Sequence, residues 1–258
     1  MRAQDKKDTQ NIVIGRNPVS EAVRSGRVID KMLVQNGAEG SVKKIVAMAK
    51  DAGVQVRFVE KAALDRLAPG RPHQGIVAYI AAHAYATVED ILKRAASTQT
   101  EPFVVLLDGL VDPHNVGAII RSADGAGAHG VVIPSRRAVG LTEVVAKASA
   151  GAIEYVPVAR AGNLSQTIDQ LKQKGLWVTG LDMGGIPYEE ADLSGPLALV
   201  VGGEGQGLSR LVSDKCDQIV SIPMKGRISS LNASNAAAII MFEISRRRSL
   251  NEKANRRE

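Results

Sequence analysis

The sequence has a single cysteine, Cys216, so no disulfide can form within its 258 residues and the fold must be held by its core. Cys216 is expected to be a small core or surface residue. Aromatic residues make up only 3% of the chain, which leaves Ala, Val and Ile to carry the packing. No apolar run reaches the roughly 18 residues that cross a bilayer. The start from Met1 to Gln10 is polar and charged, unlike a secretion signal, so a cytoplasmic protein without membrane contact is expected. The four histidines, His73, His83, His114 and His129, lack metal-site spacing and form no legible Ser–His–Asp arrangement, so no metal is expected. A G-x-x-x-x-G-K-[ST] phosphate loop is absent. Gly203, Gly205 and Gly207 are spaced G-x-G-x-G and do not fit the dinucleotide fingerprint. NTP and NAD chemistry are therefore disfavoured.

What remains is a chain with material for a core, 45% hydrophobic and 23% charged, long enough for two domains. Its formal charge of +6 is unevenly placed: residues 1–100 hold 16 Lys and Arg against 10 Asp and Glu, while residues 101–258 hold 17 of each. From charge alone a solubilising surface is the simpler reading. A nucleic-acid-gripping domain beside a charge-balanced catalytic one is the alternative.

Hydrophobic patterning gives a β/α alternation in the first eighty residues. Strands are expected at 12–15, 28–34, 54–59 and 75–80, with helices from Asn17, at 42–52 and at 61–67. Residues 81–102 read as a tether holding one short helix near 88–95. From Phe103 the alternation becomes regular, with strands at 103–107, 131–133, 155–158, 176–181, 197–201 and 219–222 and helices between them. Such a pattern implies a parallel sheet covered on both faces, with ligands beyond the carboxyl ends of its strands. The basic end, 246–258, reads as a frayed tail.

Three loops at strand ends carry the candidate chemistry. In DPHNVGAIIRSADGAG, Asp112–Gly127, Asn115 can cap a helix and Arg121 lies beside an apolar stripe, where it can meet a ligand or snorkel. In VVGGEGQGLS, Val200–Ser209, glycines surrounding Glu204 allow close backbone approach or an ordinary turn. In SIPMKGRISSLNASNAAAIIMFEISRRR, Ser221–Arg248, the residues Ser229, Ser230, Asn232, Ser234 and Asn235 crowd the entrance of an Ala- and Ile-rich helix. One of them would suffice as a cap, so the loop reads either as a capped helix or as a cradle for a small polar ligand.

In this order the loops resemble the three motifs of the SpoU family of ribose 2'-O-methyltransferases, within the SPOUT superfamily. The matches are N-x-G-x-x-x-R at Asn115–Arg121, V-x-G-x-E-x-x-G at Val200–Gly207 and I-P-M-x-G-x-x-x-S-L-N-x-S at Ile222–Ser234. Further matches, G-R-N-P-V-x-E-A at Gly15–Ala22 and H-Q-G-I at His73–Ile76, resemble the substrate-binding domain of bacterial enzymes that methylate a guanosine of 23S rRNA. Asn235 departs from the family, which more often has an apolar residue there.

The resemblance implies an α/β chain with an N-terminal substrate-binding domain at 11–82, a linker at 83–101, a SPOUT domain at 102–248 with a parallel sheet and a deep C-terminal trefoil knot, and a basic tail at 249–258. It implies S-adenosylmethionine as cofactor, bound at Gly202, Ile222, Leu231, Met224 and Gly207, and catalytic positions Arg121, Glu204, Asn115, Asn232 and Ser230. Arg121 would take or direct the proton of a ribose 2'-hydroxyl, Glu204 would orient Arg121, and Asn232 and Ser230 would hold substrate or cofactor. RNA, 23S rRNA in the leading reading, and a second copy of the chain are the implied partners. A tRNA or rRNA-adenosine methyltransferase is the alternative within the same chemistry, and a non-catalytic ribosome-assembly protein the alternative of another class.

Overall fold

The computed structural model describes residues 12–136, 138–203 and 205–255. The chain divides into two compact units. One comprises the residues up to Ala84 together with Gly140–Glu143, and the other comprises Tyr85–Val139 and Val144 onward.

The first unit has a four-stranded sheet ordered β1 (Ile12–Ile14), β4 (Ile76–Ile80), β2 (Ile29–Gln35), β3 (Gln55–Val59). β4 runs antiparallel to both neighbours, while β2 and β3 are parallel. Helices α1 (Arg16–Arg24) and α2 (Ser41–Asp51) bury Val19, Ala22, Val42, Ile45 and Ala49 on one sheet face, against Met32, Val34, Ile76 and Ala78. Helix α3 (Lys61–Leu67) covers the other face, where Leu64 meets Ile14 and Val77. The alternation of inward side chains along β4 thus feeds two cores from one strand.

In the second unit six strands run parallel without exception, ordered β10 (Gln218–Ser221), β8 (Trp177–Pro187), β9 (Leu197–Gly202), β5 (Phe103–Asp108), β6 (Gly130–Pro134), β7 (Val158–Ala161). Val104 and Leu106 of β5 join Ile91 of α4 (Val88–Ser97) and Ile168 and Leu171 of α7 (Leu164–Gln173) in one core. Val105 and Leu107, equally buried, point to the opposite face. Helices α5 (Pro113–Gly125) and α9 (Ala233–Asn255) pack there against each other and against β6 and β9. A short α6 (Glu143–Ala148) and α8 (Arg210–Ser213) complete the described helices, apart from a 3-10 turn at Ala152–Glu154.

Four expectations change. The stretch 83–101 is no tether: its helix α4 is capped by Thr87, whose side chain accepts from the Asp90 N–H, and Ile91 and Ala95 are fully buried. Burying an isoleucine of this kind is worth about 1.5–3 kcal/mol, enough to hold the helix on the sheet. The strand expected at 155–158 begins only at Val158, because Pro157 has no N–H to donate and a 3-10 turn precedes it. Helix α5 is capped by Asp112, whose carboxylate accepts from the His114 N–H, with Pro113 at the first helical position. Asn115 is therefore released from capping and lies buried inside the helix.

The basic end is helical as far as it is described. Arg247 donates to the carbonyls of Tyr188, Glu189 and Ala191, and Arg248 to those of Glu101, Pro102 and Gly195. Arg246, with Arg247 beside it, holds the Glu243 carboxyl down to about 2. These guanidiniums tie the end of α9 to the carbonyls of the strand-joining turns by charge-assisted hydrogen bonds.

Candidate active site

Because all six strands of the second unit point the same way, their carboxyl ends share one edge, and the loops leaving β9 and β10 face each other there. Between them lies a cleft of about 470 Å³. Its glycine wall is Gly202, Gly203, Gly205 and Gly207 from the turn after β9. The opposite wall is built from Ser221, Ile222 and Met224 after β10 and from Ser229–Ala233 before α9.

Glycine is required on the first wall by space. A Cβ on Gly202 would stand 2.3 Å from the carbonyl carbon of Gly207, and Gly207 itself has φ +62. The turn therefore folds back on itself, and its described glycines offer the cleft backbone N–H and C=O groups, a surface that suits a flat polar ligand.

The third wall comes from β8. Its pairing with β10 slips: Ile219 is opposite Gly180, yet Val220 is opposite Ile186, so residues 181–185 leave the ladder. Leu181, Asp182, Met183 and Gly184 of this excursion line the cleft. Ser221 Oγ donates to the Gly185 carbonyl at 2.8 Å and pins the excursion to the end of β10. Bulges of this kind re-aim side chains beside functional sites.

The first loop meets the third through a side-chain bond. Asn232 Nδ2 donates to Asn115 Oδ1 at 2.9 Å, 117 positions apart in sequence. The Oδ1 of Asn232 accepts from the N–H groups of Ser234 at 3.0 Å and Asn235 at 3.3 Å, and from Ser234 Oγ at 2.6 Å. Asn232 thus caps α9 and at the same time is fixed by α5, which a plain cap would not need. Its amide orientation follows from the set, since only the oxygen can face three donors.

Of the expected cofactor positions, Gly202, Gly207, Ile222, Met224 and Leu231 line the cleft. Of the expected catalytic positions, Ser230 and Asn232 line it and Asn115 is bonded to Asn232. Arg121 is exposed on α5 and does not line the cleft. Glu204 lies outside the described residues. The motifs missed the excursion of β8, because its signal is a slip in strand pairing and not a residue pattern.

In the first unit the two motif segments also meet. Arg16 donates its backbone N–H to Gln74 Oε1 at 3.0 Å and its Nε to the Gln74 carbonyl at 3.1 Å. Gln74 is held at φ 51, followed by Gly75 at φ 81, whose N–H donates to His73 Nδ1 at 2.9 Å. His73 Nε2 lies 3.0 Å from Asp65.

Cys216 packs partly buried against the second unit's core, where burial pushes its thiol up to about 11, the state of an unreactive cysteine. Among the described residues no group of His, Cys, Asp and Glu could hold a metal ion. Among them, too, no helix is long and apolar enough to cross a membrane.

Residues 102–242, more than half of the chain, match the model of the SpoU rRNA methylase family. The chain belongs to this family. Residues 12–86 match a second model, RNA 2'-O ribose methyltransferase substrate binding. Among curated relatives, the YacO protein of Bacillus subtilis (strain 168), named for the TrmH family of tRNA/rRNA methyltransferases, is 46% identical over 238 residues, covering 92% of this chain and 95% of that protein. A TrmH family relative of Staphylococcus aureus (strain MSSA476) is 49% identical over 241 residues, covering 92% and 96%.

Two solved structures extend the comparison. The SpoU methyltransferase AviRb of Streptomyces viridochromogenes, in complex with the cofactor AdoMet, aligns with TM-score 0.59 and 28% identity over 96% of this chain and 94% of that one. An AdoMet-bound rRNA methyltransferase of Sinorhizobium meliloti aligns with TM-score 0.56 and 26% identity, covering 92% and 87%. This SpoU chain is thus an RNA methyltransferase by family, and the family's methyl donor is S-adenosylmethionine.

Proposed function

We propose that the chain transfers the methyl group of S-adenosylmethionine to a ribose 2'-hydroxyl of RNA, on a guanosine of 23S rRNA, in the cytoplasm and as a homodimer. The observation that carries this reading is the single cleft lined by the second and third loops and joined to the first through Asn115 and Asn232. Its volume falls in the range of ligand pockets, roughly 300–1,000 Å³. Its backbone-lined glycine wall and apolar Ile222, Met224 and Leu231 fit an adenosine, with Ser230 and Asn232 available to the polar groups of donor or substrate.

The donor supplies a methyl already activated by a sulfonium. What the protein must add is alignment of the ribose hydroxyl and removal of its proton. In this reading Asn115 locks the Asn232 amide, and Asn232 and Ser230 orient the reacting groups. Arg121, which does not line the cleft of its own chain, takes or directs the proton in the homodimer, whose sites lie beside the subunit interface in this reading, and Glu204 orients Arg121. The return of β10 past β9 to pair with β8 supports a knotted C-terminal end, in which these loops would be threaded and held without a disulfide.

The substrate-binding match over residues 12–86 and the basic surplus before residue 100 support RNA backbone contact by the first unit. Relatives named for both tRNA and rRNA make tRNA ribose methylation the second reading. The test is methyl transfer from labelled donor to unmodified 23S rRNA and to tRNA, followed by mapping of ribose methylation. Label on one rRNA guanosine is expected. Label on tRNA alone would replace the proposal with the second reading, and donor binding without transfer to either RNA would favour an assembly protein.

A further inference from the structure

The cleft has one ionisable side chain among its described lining residues, Asp182, which belongs to none of the three motifs. It stands on the excursion of β8, its Oδ1 accepting from the Met183 N–H at 2.7 Å and its Oδ2 from the Leu208 N–H at 2.9 Å. The carboxylate therefore bridges two walls of the cleft. A Cβ on Gly207 would come within 2.5 Å of Oδ2, so the absence of a side chain at 207 is what lets the glycine turn close over this charge. Two backbone donors fix the group, while a carboxylate offers about four acceptor sites. A negative charge is thus oriented at the cleft before any ligand enters.

This rests on the reading of the cleft as the methyl-donor site. S-adenosylmethionine bears a sulfonium, an ammonium and a carboxylate, a net single positive charge. Once the methyl has left, the sulfur is a neutral thioether and the product has no net charge. We propose that Asp182 is a specificity-determining residue through which the cleft prefers the charged donor over the neutral product. The other described walls, among them Leu181, Met183, Val201 and Ile222, carry no countercharge to cancel its field. A preference of this kind lets spent cofactor leave and fresh donor replace it. A carboxylate that only tied the glycine turn to β8 would serve both molecules alike, since they share the adenosine and amino-acid parts.

The test is calorimetry with S-adenosylmethionine and S-adenosylhomocysteine on the full chain, comparing wild type, Asp182→Asn and Asp182→Glu, with thermal unfolding as the check on folding. The wild type should bind the donor about tenfold more tightly than the product, the scale of a partly screened charge pair. Asp182→Asn should lose most of that ratio, and Asp182→Glu, which retains the charge, should keep more of it. Equal weakening of both ligands in Asp182→Asn, or a wild-type ratio near one, would overturn the inference. A wild type that binds neither ligand would sink the methyltransferase reading itself, and this inference with it. Should Asp182→Asn fail to fold, wild-type affinity for sinefungin, whose amine replaces the charged sulfonium methyl, decides: it must exceed that for the product.

Discussion

Both units cover the two faces of a sheet with helices, a mixed sheet in the first and an all-parallel one in the second, yet they differ in how some of their loop polar groups are treated. In the first unit the groups at the strand ends are bonded to one another: Arg16 to Gln74, His73 to Asp65, and Asn36 Nδ2 to Glu60 at 2.6 Å. In the second, Ser229 and Ser230 remain exposed along a cleft whose other side includes the backbone of Gly202, Gly203, Gly205 and Gly207. A loop whose polar groups are mutually satisfied is a fixed platform, suited to a large partner that it grips by charge. Where those groups are left open, a small molecule can complete their hydrogen bonds.

The contrast can be broken at its strongest point by Arg121→Ala. Transfer should fall by about hundredfold or more, the scale of a lost proton-handling group, with donor affinity retained. Near-normal turnover would remove Arg121 from the chemistry. Gly202→Ala should act on the other quantity, because its Cβ would collide with Gly207 at 2.3 Å. Donor affinity measured by calorimetry should drop by about tenfold or more, the scale of a turn forced open by overpacking, and unchanged affinity would contradict the backbone-lined wall.

Arg16→Ala sharpens the comparison from the first unit's side. It removes the Nε bond to Gln74 and one cation of the basic half while leaving the cleft untouched. RNA affinity should weaken, and its salt slope should fall by about one if Arg16 meets a phosphate. Donor affinity that fell in parallel would argue against separate roles for the two units.

The smallest expected effect concerns pH. His129 in the second unit is buried, its Nδ1 accepting from the Phe103 N–H at 2.9 Å and its Nε2 lying 2.8 Å from Thr100 Oγ1. Burial, with Arg248 and Arg94 nearby, lowers its pKa below the ordinary 6.5. The unfolded chain therefore takes up the proton first, so stability is full above pH 6.5 and declines as pH falls below it. Unfolding midpoints between pH 7 and pH 5 should drop in the wild type and drop less in His129→Gln. Parallel curves would show that His129 does not contribute.

Much of this was legible locally. The strands at 29–35, 55–59, 103–108 and 197–202 follow from apolar runs bounded by turn residues, and Asn163, just before an amphipathic run, caps α7 by accepting from the Gln166 N–H. The tether reading of 83–101 failed because the buried stripe of α4 is short: Ile91 and Ala95 alone are fully buried, and only the neighbouring sheet gives them value. Asn115 as a cap failed because Asp112 and Pro113 compete for the same helix start and win.

By itself the amino-acid sequence determined the alternation of strands and helices, the uneven charge and the identity of the three loops, since each depends on residues within a few positions of one another. Tertiary structure alone decided that Asn232 would bond Asn115 across 117 positions and that β8 would slip against β10 to put Asp182 into the cleft. Periods of 2 and 3.6 residues specify local conformation, but a slip in pairing between distant strands changes no local period and leaves no mark in the sequence around it.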